Sequence, residues 1–362
     1  MSRIVCFHLF NDYSGSPRVL KVIIEGLLER RYNVDLVTSS GGVLSELVSN
    51  ELLKVHSYGY KFVKNEFVAF IVYFFTQLFT FIYSFKYLFN KGAVFYINTL
   101  LPVGPALAGF LMRKKVIYHY HENAFVKGFS YRVLCHLMQM LATKIICVSS
   151  FQKQYLKRSE KIVVIQNSVS KEFYNEFVSI KEHELSFSPQ ILMLSSLKMY
   201  KGVLEFIALS EYLIDYKFCL VINDTQRNID IFLRNNNVKL NSNIIIYSKQ
   251  KNIISFYKKS DIVVNLTNPK FFIETFGLTI LEAMTASLPV IVPVTGGVAD
   301  LVENGFNGYK IDVSNLVGIA NTIQRMLNDK DEYLKLSINA KKTSEKYSYS
   351  KMIHEIKKLI NE

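Results

Sequence analysis

Cysteine is scarce in this 362-residue chain, and the four present, Cys6, Cys135, Cys147 and Cys219, form no C-x-x-C pair and keep no histidine spacing suited to zinc. Neither a disulfide frame nor a structural metal is therefore indicated, and a reducing compartment fits. Tryptophan is absent; Tyr and Phe supply every aromatic ring. Acidic residues are the minority charge, 30 against 43 Lys and Arg, for a formal net charge of +13. No short repeat or low-complexity tract occurs, and no secretory signal is read, because the apolar run 4–10 breaks at Asn11-Asp12 before a usual h-region is complete. Half of the residues are apolar and one fifth are charged, which rules out a disordered or fibrous chain. At roughly 100–200 residues per domain, the length suits two domains.

The charge is unevenly spread. Residues 1–175 hold 21 basic and 10 acidic side chains, whereas residues 176–362 hold 22 and 20. A positive first half attracts nucleic acid or anionic lipid. No DNA or RNA motif accompanies it, so the expected partner is an anionic membrane surface and not nucleic acid. The stretch 67–85, between Glu66 and Lys86, is uncharged and long enough to cross a bilayer as a helix. Within it Tyr73, Thr76, Gln77, Thr80 and Ser84 recur at helical spacing as one weakly polar stripe, opposite Phe67, Phe70, Phe74, Leu78, Phe81 and Phe85. A lipid-facing span needs no such stripe, so the expectation is a helix buried in the fold or lying at an interface.

Short β-type runs alternate with helical stretches, the pattern of parallel sheets covered by helices on both faces. Strands are expected at 4–9, 34–38, 93–98, 116–121, 144–148 and 162–166, with helices at 18–30, 67–85 and 129–141. The cycle restarts at 191–194, with strands at 218–222, 244–247, 262–266 and 290–292 and helices from about 203 and 276. Two Rossmann-like sheets follow: residues 1–172 form the first domain, 173–345 the second, and 346–362 a basic amphipathic helix that crosses back to the first.

Glu274 and Glu282 stand eight apart across the junction between a loop and the helix expected from about 276. A diphosphate fits between them, held by backbone amides of Phe276, Gly277 and Leu278 at the positive end of the helix. Carboxylates repel phosphate, so they make sense as acceptors for hydroxyl groups, a sugar at Glu274 and a ribose at Glu282. A capped helix bearing a surface glutamate explains the same spacing. Both readings stand on the residues alone.

The segment from Glu274 to Ala286 resembles the E-x7-E hallmark of the retaining GT-B glycosyltransferases, in the large group numbered 4. Leu288-Pro289-Val290-Ile291, Gly296-Gly297, Asp300 and Asn304-Gly305-Phe306-Asn307-Gly308 follow in that family's order and spacing. The resemblance implies an α/β GT-B fold, two Rossmann-like domains whose parallel sheets face an interdomain cleft. The first domain would take the acceptor and the second the nucleotide sugar. It also implies that Lys201 neutralises the departing diphosphate, with Lys198 supplying a charge where Ser196 replaces the usual arginine. Thr275 lies in the matched donor-binding segment. Gly15 and Ser16 resemble the small-residue loop between the first strand and helix, and His121 the histidine that approaches the donor sugar. His119 shares its strand face and reads as a core histidine.

The family's reaction moves a sugar from a nucleotide donor to a hydroxyl, retaining the anomeric configuration. The donor expected here is a UDP- or GDP-sugar, with no further cofactor. Metal dependence is not expected, since the one D-x-D spelling, Asp329-Lys330-Asp331, falls in a polar turn between C-terminal helices. The positive, aromatic-rich first domain points to a lipid-linked glycan acceptor in surface polysaccharide biosynthesis. The enzyme would then be cytoplasmic and peripheral on the inner face of the cytoplasmic membrane. A nucleotide-sugar epimerase of the same fold, or a non-catalytic nucleotide-sugar-binding scaffold protein, are the alternatives.

Overall fold

A strand covered by helices on both faces has little room for charge, and the central strands of this protein are apolar through their middles, as over residues 4–7, 93–97 and 191–194. The computed structural model describes residues 3–61, 63, 65–157 and 159–362. It divides into two units, Met1–Asn167 with Tyr349–Glu362, and Ser168–Ser348. The first runs β1 (Arg3–His8), α1 (Gly15–Glu29), β2 (Asn33–Ser39), β3 (Leu53–Tyr58), α2 (Glu66–Ser84), β4 (Ala93–Asn98), α3 (Val103–Leu111), β5 (Lys115–Tyr120), α4 (Phe129–Leu141), β6 (Lys144–Cys147), α5 (Ser150–Lys153) and β7 (Ile162–Val164). The second runs α6 (Lys171–Phe177), β8 (Gln190–Ser195), α7 (Val203–Tyr212), β9 (Lys217–Ile222), α8 (Gln226–Asn235), β10 (Ile244–Tyr247), α9 (Ile254–Lys258), β11 (Ile262–Val264), α10 (Leu278–Thr285), β12 (Val290–Val292), β13 (Gly308–Lys310), α11 (Leu316–Asn328) and α12 (Lys330–Glu345). The last helix, α13 (Tyr349–Asn361), belongs to the first unit.

The sheets are ordered β3-β2-β1-β4-β5-β6-β7 and β10-β9-β8-β11-β12-β13, and every pairing among the described residues is parallel. All of β4 is buried, whereas the edge strand β3 exposes Lys54, Val55 and Ser57. That exposure is why β3 gives no apolar run and is absent from the strands expected above. Helix α1 begins at Gly15, three residues before the expected start. Asp12 accepts from the Ser14 amide at 3.0 Å, and Pro17 is tolerated in the first turn, where a missing N–H costs nothing. Helix α13 packs on α1, where Ile353 fills the space beside Gly26.

Helix α2 has the expected two faces, but its inward side is the polar one. Thr76, Thr80 and Ser84 are buried, and Phe67, Phe70, Phe74, Leu78 and Phe85 of the opposite face are exposed, with Phe81 half-buried. The seam holds because small residues let two backbones meet. A Cβ on Gly104 of α3 would lie 2.1 Å from the Gln77 carbonyl oxygen of α2. Gly104→Ala is therefore expected to destabilise the first unit by about 1–3 kcal/mol. Gly15→Ala, where nothing lies within 4 Å of the added carbon, should leave it unchanged. Thermal unfolding of the two variants checks this.

Candidate functional site

In the second unit the neighbouring strands β8, β11 and β12 deliver their following loops to one edge of the sheet. Lys201 closes a short turn after β8, and its ammonium pairs with the Glu274 carboxylate from the loop after β11. Thr267, in that same loop, donates its hydroxyl to Glu274 Oε1 at 3.1 Å. Gly297, after β12, donates its amide to the Glu274 carbonyl at 2.7 Å and fixes the backbone. Both charged side chains are about one-fifth exposed, at 18% and 19%. Burial pushes the Glu274 carboxyl up, but the charge of Lys201 and the hydrogen bonds from Lys201, Thr267 and Asn265 outweigh it and hold the carboxyl below its ordinary range. The Lys201 ammonium also lies 4.3 Å from the centre of the Phe272 ring, on which Tyr200 stacks at 5.0 Å.

Thr275 and Phe276 carry the chain from Glu274 into α10. Phe276 is buried, edge-on to Tyr347 at 6.0 Å. Gly277 precedes the helix with φ of +96°, and a Cβ there would lie 2.5 Å from Val298 Cγ2, so only glycine fits. Leu278 is the first helical residue rather than Phe276, because the left-handed Gly277 turns the chain into the helix axis. The first-turn amides of α10 have no partner within the helix, as at any helix start. Glu282 lies one turn further on, buried, and accepts from the Tyr257 hydroxyl of α9 at 2.6 Å. The structure thus joins Lys201 to Glu274 but gives the two glutamates different partners. Lys198 is exposed at the start of the Lys201 turn, its carbonyl accepting from the Lys201 amide at 2.9 Å.

In the first unit the ends of β1, β4 and β5 meet. Asn98 closes β4. Its Oδ1 accepts from His121 Nε2 at 3.0 Å, and its Nδ2 reaches His8 Nδ1 at 3.0 Å and the Ser16 carbonyl at 3.2 Å. His121 is half-buried just past β5, one residue beyond the strand. His119 is fully enclosed, with its Nδ1 on the Tyr96 hydroxyl at 2.8 Å, and its ring lies 4.1 Å from that of His121. Gly15 is exposed and Ser16 half-buried in the first turn of α1, rather than in the preceding loop. Asn98, Thr267, Tyr257 and Phe272 were not singled out in the sequence. The positions of Asn98 and Thr267 just at or past strand ends are the one signal that points to them.

Burial pushes His8 down to about 4 and His119 down to about 3. Burial, then the neighbouring His119 and His8, hold His121 well below the ordinary imidazole range. All three rings are therefore neutral at neutral pH. The unfolded chain takes up these protons near pH ~6.5, whereas the folded protein refuses them until much lower pH, so stability is full above ~6.5 and falls as pH drops. Glu122, raised by burial, acts in the opposite sense but is one group against three. The urea midpoint is expected to fall from about pH 7 to about pH 5, at about 1.4 kcal/mol per pH unit for each imidazole. A midpoint that stays flat over that range contradicts the neutral cluster.

Two family models match the chain in succession, one described as Glycosyltransferase Family 4 over residues 13–173 and one as Glycosyl transferases group 1 over residues 178–343. An uncharacterized glycosyltransferase of Methanocaldococcus jannaschii is 29% identical over 226 residues, 60% of this chain and 59% of that protein. The capsular polysaccharide biosynthesis glycosyltransferase CapM of Staphylococcus aureus is 27% identical over 300 residues, 74% of this chain and 76% of its own. The matches span 59% and 50% of the first two curated relatives' length. Among solved structures, Anabaena HepE in complex with UDP and glucose shares the fold with a TM-score of 0.78 at 18% identity, covering 100% of both chains. From the two matches end to end and the paired parallel sheets, the chain belongs to the group 1, family 4 glycosyltransferases of the GT-B fold.

Proposed function

We propose that the protein is a retaining hexosyltransferase that moves a sugar from a UDP- or GDP-sugar to a hydroxyl of a lipid-linked glycan. The proposed setting is surface polysaccharide biosynthesis, without a metal ion, peripheral on the cytoplasmic face of the membrane. The observation that carries this reading is the Lys201–Glu274 pair in the loops just ahead of α10. A cation beside the amides of a helix start suits a diphosphate, and a carboxylate beside them suits only the hydroxyl groups of the attached sugar. Two relatives support the reading by their names: the Anabaena structure holds UDP and glucose, and the staphylococcal protein acts in capsular polysaccharide biosynthesis. The basic first half supports a membrane-borne acceptor.

In the reaction, the bond from the anomeric carbon to the phosphate oxygen breaks and the acceptor oxygen bonds on the same face. The acceptor's proton goes to the departing phosphate oxygen. Lys201, with Lys198 and the amides of Phe276, Gly277 and Leu278, would stabilise the leaving charge. A preorganised donor of this kind is worth about 3 kcal/mol. Glu274 and Thr275 would border the sugar and Glu282 the ribose. Gly15, Ser16 and a neutral His121 would be the first unit's contribution to substrate binding. Glu274 is already held by Lys201 and Thr267, which favours orientation of hydroxyls over nucleophilic attack.

The test is a screen of UDP-, GDP- and ADP-sugars with and without a polyprenyl-linked acceptor, reading product mass and anomeric configuration. Glu274→Gln is expected to lower turnover about 100-fold with the fold intact. Glu282→Gln should mainly raise the donor KM, by about 10-fold, and chelation of divalent ions should change neither. An isomeric nucleotide sugar formed without acceptor identifies an epimerase. Donor binding with no turnover identifies a non-catalytic protein, and a trapped glycosyl ester overturns same-face attack.

A further inference from the structure

Helix α2 presents its greasy side to the outside. The docked side is the polar stripe: the Tyr73 hydroxyl donates to the Leu101 carbonyl at 2.8 Å, and Gln77 Oε1 accepts from the Gly104 amide at 2.9 Å. The hydroxyls of Thr76, Thr80 and Ser84 are turned back onto carbonyls of their own helix, of Val72, Thr76 and Thr80. Facing outward are Phe67, Phe70, Phe74, Phe75, Phe79 and Ile82, from 50% to 72% exposed. The neighbouring helix α3 adds exposed Leu107, Phe110 and Leu111. A ridge of this size on a folded unit marks a surface that meets something apolar.

Charge identifies what it meets. From Lys61 to Lys144 the sequence holds ten Lys and Arg against two acids, Glu66 and Glu122; Glu122 and Lys114 are buried, and Lys144 pairs with Glu362. Lys61, Lys86 and Arg113, near the ends of α2 and α3, are exposed. A second copy of this face would set cation against cation, whereas an anionic bilayer offers hydrocarbon to the ridge and phosphate to its collar. The docking argues against a crossing helix. The strands on either side of α2, β3 and β4, lie in one sheet, and the Tyr73 and Gln77 contacts pin the helix along α3.

We propose that α2, with the outward side of α3, lies in the plane of an anionic membrane, its phenylalanines at the boundary of acyl chains and headgroups and its flanking cations on lipid phosphates. This rests on and deepens the reading of a membrane-borne acceptor by naming the surface that holds the enzyme there. The chain has no tryptophan, so one introduced ring reports alone. Phe70→Trp, Phe74→Trp and Ile82→Trp, each in the full chain, are mixed with vesicles of phosphatidylcholine with and without phosphatidylglycerol. Brominated lipids then report depth.

The expected result is a blue shift with phosphatidylglycerol at all three positions and one shared shallow depth. A spanning helix would put Phe74→Trp deepest, and that result overturns the proposal. Flotation of the unsubstituted chain with the same vesicles should fall about tenfold for the double substitution Phe70→Ser, Phe74→Ser, with the melting temperature of the second unit retained. Lys86→Glu with Arg113→Glu should remove the salt-sensitive part of binding. Absence of flotation, or a dimer in sedimentation that Phe70→Ser dissolves, also overturns the proposal. Donor hydrolysis measured without vesicles separates the two readings. Hydrolysis without flotation defeats the membrane face alone, and flotation without hydrolysis or transfer defeats the transferase reading alone.

Discussion

Every strand within a sheet points the same way, and this single constraint decides where the chemistry gathers. A parallel sheet sends all its strand ends, and the loops that leave them, to one edge. In the first unit the adjacent strands β1, β4 and β5 bring His8, Asn98 and His121 together at that edge. In the second, β8, β11 and β12 are likewise adjacent, and their loops carry Lys201, Glu274 and Gly297. Residues far apart in the chain become neighbours because sheet order, not sequence order, sets the spacing.

The two edges solve the problem of buried polarity differently. In the second unit a cation and an anion neutralise one another, with a threonine and an aromatic ring completing the ammonium and carboxylate shells. The Glu274 carboxyl is held below its ordinary range because Lys201 is there. In the first unit burial outweighs the charge of Asp12, and the imidazoles remain neutral, each with one ring nitrogen held by an amide or a phenol. A paired charge is ready to be redirected when an anion or hydroxyl arrives. A neutral ring offers hydrogen bonds without attracting or repelling a charged group.

Much of this was legible in the sequence, for physical reasons that differ by residue. Fully covered strands write themselves as apolar runs, so β4 and β5 were found to within a residue, whereas the half-wet edge strand β3 left no such trace. Glu274 and Gly277 were legible because a carboxylate eight residues from another, with a glycine between, is an uncommon request on the backbone. Tyr257 and Thr267 were not, because their importance lies in what they touch, and contact across the fold is invisible to local pattern. Helix α2 shows the same limit. Its periodicity defined two faces, but periodicity carries no information on which one turns inward.

Asn98 is a mechanical joint. One amide group is bolted to the end of β1 through His8, to the opening turn of α1 through the Ser16 carbonyl, and to the segment after β5 through His121. Three loops that leave different strands therefore share a single pivot. A push on the start of α1 is transmitted to the His121 ring without any helix having to slide, and the position and orientation of that ring become a property of the whole rim.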